Sequence, residues 1–334
     1  MNDIIVLEYF TSKSNIDLEN KKIFLEAIDL TESIIKGFLL NKNINRLYFV
    51  QNSKINILNH KKLFKVYTDK SNSFIWVIKK LPKKNVVFIA PEIRNISSNF
   101  QKKISKFLPL RHSDIKISET FSSKEKTIEF LKKKSVDHVG KARQRKSRYV
   151  IKPIYGAGSF KVKISRKYRF KKTEVIQDYM TGIKGSFSML CKDKKFVLIS
   201  CNKQITKIID NKIIQKGLII GGLEEERLKI ECLAQQICNV TKGLFGLIGV
   251  DIIKQNGKWY VLEINPRFTS SYNGILECYG KKTVFQITNL YLTKSLILGD
   301  PKLVKTKRII FSWKRKIHNT WGLTLEEHIL NVSV

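Results

Sequence analysis

The stretch VLEINPRFTSSYNG, Val261 to Gly274, decides how this chain is read. Its first half has the apolar composition of a buried strand. Yet Glu263, Asn265 and Arg267 occupy alternate positions, so a carboxylate, a carboxamide and a guanidinium leave the strand on one face. A single Glu in such a strand can be an ordinary solvent-facing residue. The segment upstream, GLFGLIGVDIIKQNGKW, narrows the choice by supplying a second strand: Leu247 to Ile253 and Trp259 to Asn265 flank a tight turn at Asn256-Gly257. Because side chains alternate with period 2, loop parity sets which residues share a face. A two-residue loop pairs Asp251 with Leu262 and turns Glu263 away. A three-residue loop, with Gly257 left-handed, puts Asp251, Val261, Glu263 and Asn265 on one face, with the two carboxylates in diagonal reach. The odd loop is the expectation. Two carboxylates and an amide oxygen then converge, hard ligands of the kind Mg²⁺ takes alongside phosphate oxygens and water. A metal–nucleotide site is suggested, with the reaction still open.

The rest of the chain sets bounds. Its 334 residues can bury a sizeable core in two or three compact lobes. Hydrophobic content is 43%, and no window approaches the length of apolar sequence that a membrane span needs. The start, MNDIIVLEYF, carries an early acid and a short strand-like run, unlike a signal peptide. Cys191, Cys201, Cys232, Cys238 and Cys278 are scattered and form no C-x-x-C pair, so reduced thiols and a cytoplasmic location are expected. The formal charge of +35 raises an anionic partner, nucleic acid above all. Lysine, however, is spread over the full length together with abundant Ile and Asn, which favours a compositional origin over a concentrated Arg–aromatic patch. The run GKARQRKSR, Gly140 to Arg148, stays open as a phosphate-facing segment or a solvated loop.

Strand and helix signals alternate through the first third. DIIVLEYF, NRLYFV and NVVFIAPE read as strands and LENKKIFLEAIDLTESIIKGFLL as a helix, implying a small parallel sheet with helices on its faces. In FSSKEKTIEFLKKK, Ser122 or Ser123 can cap a short helix. Short strands follow from Tyr149 to Val197, then a helix from about Glu224 to Thr241 leads into the hairpin.

Two further segments matter. YVIKPIYGAGSFKVKI places Gly156 and Gly158 between two strands, fitting neither a Walker A loop nor a Rossmann fingerprint, both of which run into a helix. It can be a flap whose N–H groups close over phosphates with Lys152 as a point charge, or a plain hairpin turn. EVIQDYMTGIKGSFSML ends a strand at Gln177, Asp178 and Tyr179, whose backbone could meet an adenine edge or simply connect two strands.

In order and spacing, YVIKPIYGAGS, VIQDYMTG, GVDII and VLEINPRFTSSY resemble the ATP-grasp superfamily. IIVLEYFT, FIAPE, ISCNKQI and EINPRFTSSYNG are similar to its branch containing the tyramine–glutamate ligases of methanofuran biosynthesis. The resemblance covers roughly residues 4 to 280. It implies an ATP-grasp fold: an N-terminal parallel-sheet α/β lobe over residues 1–115, and two α+β lobes, 116–182 and 183–290, sandwiching ATP. Residues 291–334 form a tail of unclear role. It also implies an ADP-forming carboxylate–amine ligase that needs ATP with Mg²⁺ or Mn²⁺ and acts on small-molecule acids and amines. By motif matching, Lys124 and Lys152 face the phosphates, and Gly156, Gly158 and Ser159 form the flap. Gln177, Asp178 and Tyr179 line the adenine pocket, while Asp251, Glu263 and Asn265 hold the metal. Arg267, with Lys152, serves the transferred phosphoryl group.

The implied chemistry is coherent: a carboxylate is a poor acylating group until phosphorylated, and two anionic reactants meet only where metal and basic side chains offset their repulsion. No base for the amine is assigned; His112 and His138 are candidates in name only, since a lone His is more often structural or exposed. Three positions depart from the superfamily pattern: Lys184 stands where an acidic ribose contact is usual, SKSN follows EYFT in place of a glycine-rich run, and Ser123 replaces an acid before Lys124. The rival reading is a non-catalytic basic protein of ATP-grasp shape that binds nucleic acid or another polyanion.

Overall fold

A computed structural model describes residues 2–13, 21–55, 57–69, 74–93, 95–143, 147–156 and 161–310 of the chain. Strand β1 (Asn2–Glu8) is apolar towards both faces, and Ile4, Ile5, Val6 and Leu7 are fully buried, as expected of a parallel strand covered by helices on both sides. It pairs in parallel with β2 (Ile44–Asn52), which carries β3 (Leu63–Thr68) at the sheet edge, and on its other side with β4 (Asn85–Ile89). The order is β3-β2-β1-β4. The three strands read from sequence are β1, β2 and β4; β3, at the edge beyond β2, was not anticipated. Helix α1 (Lys21–Leu40) covers one face through Phe24, Ile28, Ile35 and Phe38. Helices α2 (Phe74–Lys80) and α3 (Ile96–Ile104) cover the other through Phe74, Val77, Ile78 and Ile104.

After α4 (Ile115–Ser122), the helix expected around SSKEKT is α5 (Lys124–Lys133), and of the two serines Ser123 caps it, accepting the Lys126 N–H at 3.3 Å. Its first turn also receives Ile154: the Lys124 N–H donates to the Ile154 carbonyl at 3.0 Å. The helix is thereby fixed to the stem of the glycine loop.

The second sheet is antiparallel. It comprises β5 (Tyr149–Pro153), β6 (Lys163–Ser165), β7 (Glu174–Asp178), β8 (Ile183–Lys192), β9 (Lys195–Ile209), β10 (Lys212–Ile220), β11 (Phe245–Gln255) and β12 (Lys258–Asn265). Their order is β12-β11-β8-β9-β10-β6-β5-β7. Helix α6 (Arg227–Val240) follows a short 3₁₀ turn at Glu224–Glu226 and buries Ile230, Leu233, Ala234 and Ile237 against this sheet. Helix α7 (Ile275–Thr293) joins the core beneath α1 through Val284, Ile287 and Leu290, and β13 (Lys307–Ile310) pairs with β10.

The β11–β12 hairpin corrects the expected loop. Gln255 pairs with Lys258, so the loop has two residues, Asn256 and Gly257, both left-handed at φ 51° and 77°. That is the primed turn favoured between twisted strands. Parity is restored instead by a β-bulge: Ile252 faces Val261, but Asp251 faces Glu263, leaving Leu262 as the extra residue. The carboxylates are therefore directly opposite, not diagonal. Val261 does not share their face but is buried in the core with Ile252 and Trp259.

Candidate active site

Between the C-terminal ends of β1 and β4 and the antiparallel sheet lies a cleft of about 250 Å³. Most residues singled out from sequence line it: Lys124, Lys152, Gly156, Gln177, Asp178, Tyr179, Asp251, Glu263, Asn265 and Arg267. Gly158 and Ser159, called as flap residues, lie outside the described residues, as do 144–146 within the basic run. His112 and His138 do not line the cleft. His138 Nδ1 is held 2.7 Å from the Val136 carbonyl. His112 is half-buried, 3.1 Å from the Gln101 amide, and desolvation lowers it to about 4.

The hairpin brings its acids together, and the bulge is what aims them. Asp251 sits on β11 next to Ser186 of β8 and opposite Glu263 of β12. Burial, followed by the neighbouring Glu263 charge, raises Asp251 to about 7. Gln204 from β9 donates Nε2–H to Asp251 Oδ1 at 2.7 Å and orients it, a contact that no local pattern in the sequence announces. Gly249 on the same strand packs against Thr269 so closely that a Cβ would lie 2.5 Å from its methyl group.

The cations reach the acids from other elements. Lys124, at the start of α5, places Nζ 3.4 Å from Glu263 Oε1 and donates to the Gly156 carbonyl at 2.8 Å. It is 9% exposed, so this ion pair is largely removed from water and from screening. Lys152 is lowered to about 8, burial outweighing the opposing attraction of Glu263. Arg267 donates Nη1–H to the Phe268 carbonyl at 3.0 Å and points Nε to Glu92 Oε1 at 3.6 Å. Lys184 also lines the cleft, its ammonium lowered by burial, so a base rather than an acid does stand at that wall.

On the strand that ends at Asp178, the Gln177 side chain is already occupied, donating to the Val139 carbonyl at 2.5 Å. Asp178 Oδ1, in contrast, is buried without a hydrogen bond among the described residues. Ser271 joins Ser188 at 2.9 Å and Thr269 at 3.0 Å along the opposite rim.

The donor set fits a divalent cation. Two opposed carboxylates, with the Asn265 amide lining the same cleft, are oxygen donors of the kind a divalent cation takes, and the Lys124 ammonium is already drawn to Glu263. Only two of the three groups are acids, so among the described residues no cluster of three acidic, His or Cys side chains forms a cation site.

This architecture, a parallel-sheet lobe against a broad antiparallel sheet with acids and lysines in the cleft between them, is the ATP-grasp fold. The sequence profile of the ATP-grasp domain family matches residues 121–271, the segment that carries α5, the glycine loop and the acidic hairpin. The chain thus carries an ATP-grasp domain. Tyramine–L-glutamate ligase of Methanocaldococcus jannaschii is 28% identical over 283 residues, 81% of this chain and 84% of that protein. The enzyme of the same name from Methanocaldococcus fervens is 32% identical over 191 residues, 56% of this chain and 60% of its own length. Among solved structures, an ATP-grasp superfamily protein from Archaeoglobus fulgidus superimposes with a TM-score of 0.73 at 20% identity, covering 93% of this chain and 92% of that one.

Proposed function

We infer that the chain is an ATP-dependent carboxylate–amine ligase, which activates a small acid as its acyl phosphate, joins it to an amine and releases ADP and phosphate. Glutamate as the acid, in a cofactor pathway of the methanofuran kind, follows from the likeness to the tyramine–L-glutamate ligases. The observation that carries the reading is the direct opposition of Asp251 and Glu263, with Lys124, Lys152 and Arg267 in the same cleft, inside the stretch that matches the ATP-grasp domain.

In this reading Asp251, Glu263 and Asn265 hold Mg²⁺, which when bound offsets phosphate charge. Lys124 and Lys152 bind phosphate oxygens, with Gly156, Gly158 and Ser159 as the flap. Asp178 and Tyr179, and Gln177 through its backbone, receive the adenine. Arg267 stabilises the negative charge on the phosphoryl group in transfer. The lobes are assigned as residues 1–115, 116–182 and 183–290.

The test is release of ADP, AMP and phosphate from Mg-ATP with acids crossed against amines, glutamate with tyramine among them. ADP and phosphate release that requires both partners is expected. Glu263→Gln should lower it by at least about 100-fold, the range seen when an electrostatic group of a transition state is removed. AMP as the product would overturn the acyl-phosphate mechanism.

A further inference from the structure

We propose that the end of the β5–β6 ladder, with the loop that leads on to β7, binds single-stranded nucleic acid, its arginines on the phosphates and Tyr168 and Phe170 stacked on bases. The proposal is independent of the ligase reading and concerns a surface outside the cleft, which Arg143, Arg166, Tyr168, Arg169 and Phe170 do not line.

Between Asp137 and Glu174 the sequence holds 13 lysines and arginines and no acid, in a chain with 28 acids in all. Five of its 12 arginines fall between positions 143 and 169. A compositional surplus of lysine does not explain a local turn to arginine, whose planar fork grips phosphate oxygens in pairs and stacks on rings. The fold gathers these residues. Tyr149 pairs with Ser165, so Arg148 and Arg166 adjoin at the end of the ladder, where the Arg148 guanidinium lies 5.7 Å from the Tyr179 ring centroid. Tyr168 donates its hydroxyl to the Ala142 carbonyl at 3.2 Å, which brings the next residue, Arg143, to the same end. Arg143, Arg166 and Arg169 are exposed, and among the described residues no acid pairs with them. Glu174, the first acid beyond the run, is engaged by Lys163 at 3.5 Å and by the Lys171 N–H at 2.9 Å.

The rings set this face apart from a merely cationic one. Phe170 is 45% exposed and Tyr168 36%, with Arg169 between them in sequence. They meet edge to face at 5.9 Å, and Tyr168 packs likewise on the buried Tyr149 at 5.4 Å, so the outer rings rest on a fixed inner one. Folding favours burying such rings. Two of them left in water among unpaired arginines make the arrangement on which successive bases stack while the backbone follows the charge. An acidic polypeptide would answer the charge and leave the rings unused. Every base has a π-face, so the surface holds single strands without reading their sequence.

Fluorescence anisotropy of the full chain with a labelled oligothymidylate of about 12 nucleotides measures the binding. At fixed salt an abasic strand of the same length should bind at least about five-fold more weakly, and Phe170→Ala should cost the intact strand about as much while leaving its salt dependence as it was. Arg166→Gln combined with Arg169→Gln should lower the slope of log affinity against log salt by about 1.4, the value for two phosphates of a single strand. Trp76→Ala, which removes an exposed ring on α2 outside this face, should change neither quantity. Should Phe170→Ala fail to fold, the abasic comparison on the unaltered chain decides. Equal affinity for the abasic strand, unchanged affinity in a folded Phe170→Ala protein, an unchanged slope in the arginine variant or an equal loss in Trp76→Ala would each overturn the proposal. So would tighter binding of polyglutamate or of phosphatidylglycerol vesicles than of the oligonucleotide.

Discussion

Glu92 is an acid whose surroundings favour its neutral form. Desolvation raises it to about 7, as it does Glu8, and the attraction of Arg267 only partly reverses the effect. The folded chain therefore keeps protons that the unfolded chain, titrating near 4.5, gives up. The stability each group contributes is present below about 4.5 and is lost as pH rises through about 7. His112 acts in the opposite sense: lowered to about 4, it contributes above 6.5 and loses its contribution as pH falls towards 4. A whole-protein melting curve mixes the two, so the variant difference is the cleaner measurement. Melting temperatures of Glu92→Gln minus wild type should rise between pH 5 and pH 8, by the equivalent of about 1–3 kcal/mol. A difference that stays flat across that window would mean that Glu92 is ionised throughout. Such a carboxylate makes sense only if something other than stability retains it.

The hairpin β11–β12 is the element on which the site depends, and its turn and its bulge do separate work. Asn256 and Gly257 set the turn, and a Cβ on Gly257 would meet nothing within 4 Å, so only its φ of 77° opposes a side chain there. Gly257→Ala should then destabilise by about 1–2 kcal/mol, the penalty of a left-handed L-residue, while ADP release below the melting temperature stays unchanged. A loss of activity in the folded variant would show that the turn also sets the register of Asp251 and Glu263. The strands and the position of the turn were legible in the sequence, because period-2 alternation and Asn-Gly are local signals; the loop length was not, and the convergence of the two acids was expected from a three-residue loop that the hairpin does not have. The bulge was not legible either: Val261 and Leu262 are both apolar, and which becomes the extra residue is decided by how β11 is fitted between β8 and β12. Gln204 and the ion pair of Lys124 with Glu263 were illegible for the same reason, since they join elements 47 and 139 residues apart. The N-cap of α5, by contrast, was legible to within one residue, Ser122 or Ser123, because an N-cap is a local event.

For the whole molecule, the question is what the charge of +35 does. Glu8, Glu26, Asp178, Asp251 and Glu263 line one cleft together with Lys124, Lys152, Lys184 and Arg267, Glu92 lies behind it, and other acids, such as Glu119 and Asp137, pair with surface lysines. Many of the lysines, such as Lys102 and Lys258, are at least half exposed, where water and salt screen them. Among the described residues no helix is long and apolar enough to cross a membrane. Exposed aromatic side chains do occur beside the lysines, as where Lys80 lies 3.5 Å from the Trp76 ring centroid. There the lysine four residues on in the same helix already covers the ring, which is a local stabilising pair and not a free stacking platform. The charge should therefore attract polyanions without reading them. Binding of a labelled single-stranded oligonucleotide should fall by about a thousand-fold between low and moderate salt if some six phosphates are contacted, and it should not depend on base sequence. ADP release with its two substrates should be unaffected by saturating oligonucleotide if the chain is held on the exposed lysines outside the cleft. A base preference that persists at moderate salt, or competition between oligonucleotide and ATP, would instead make the basic surface part of the function.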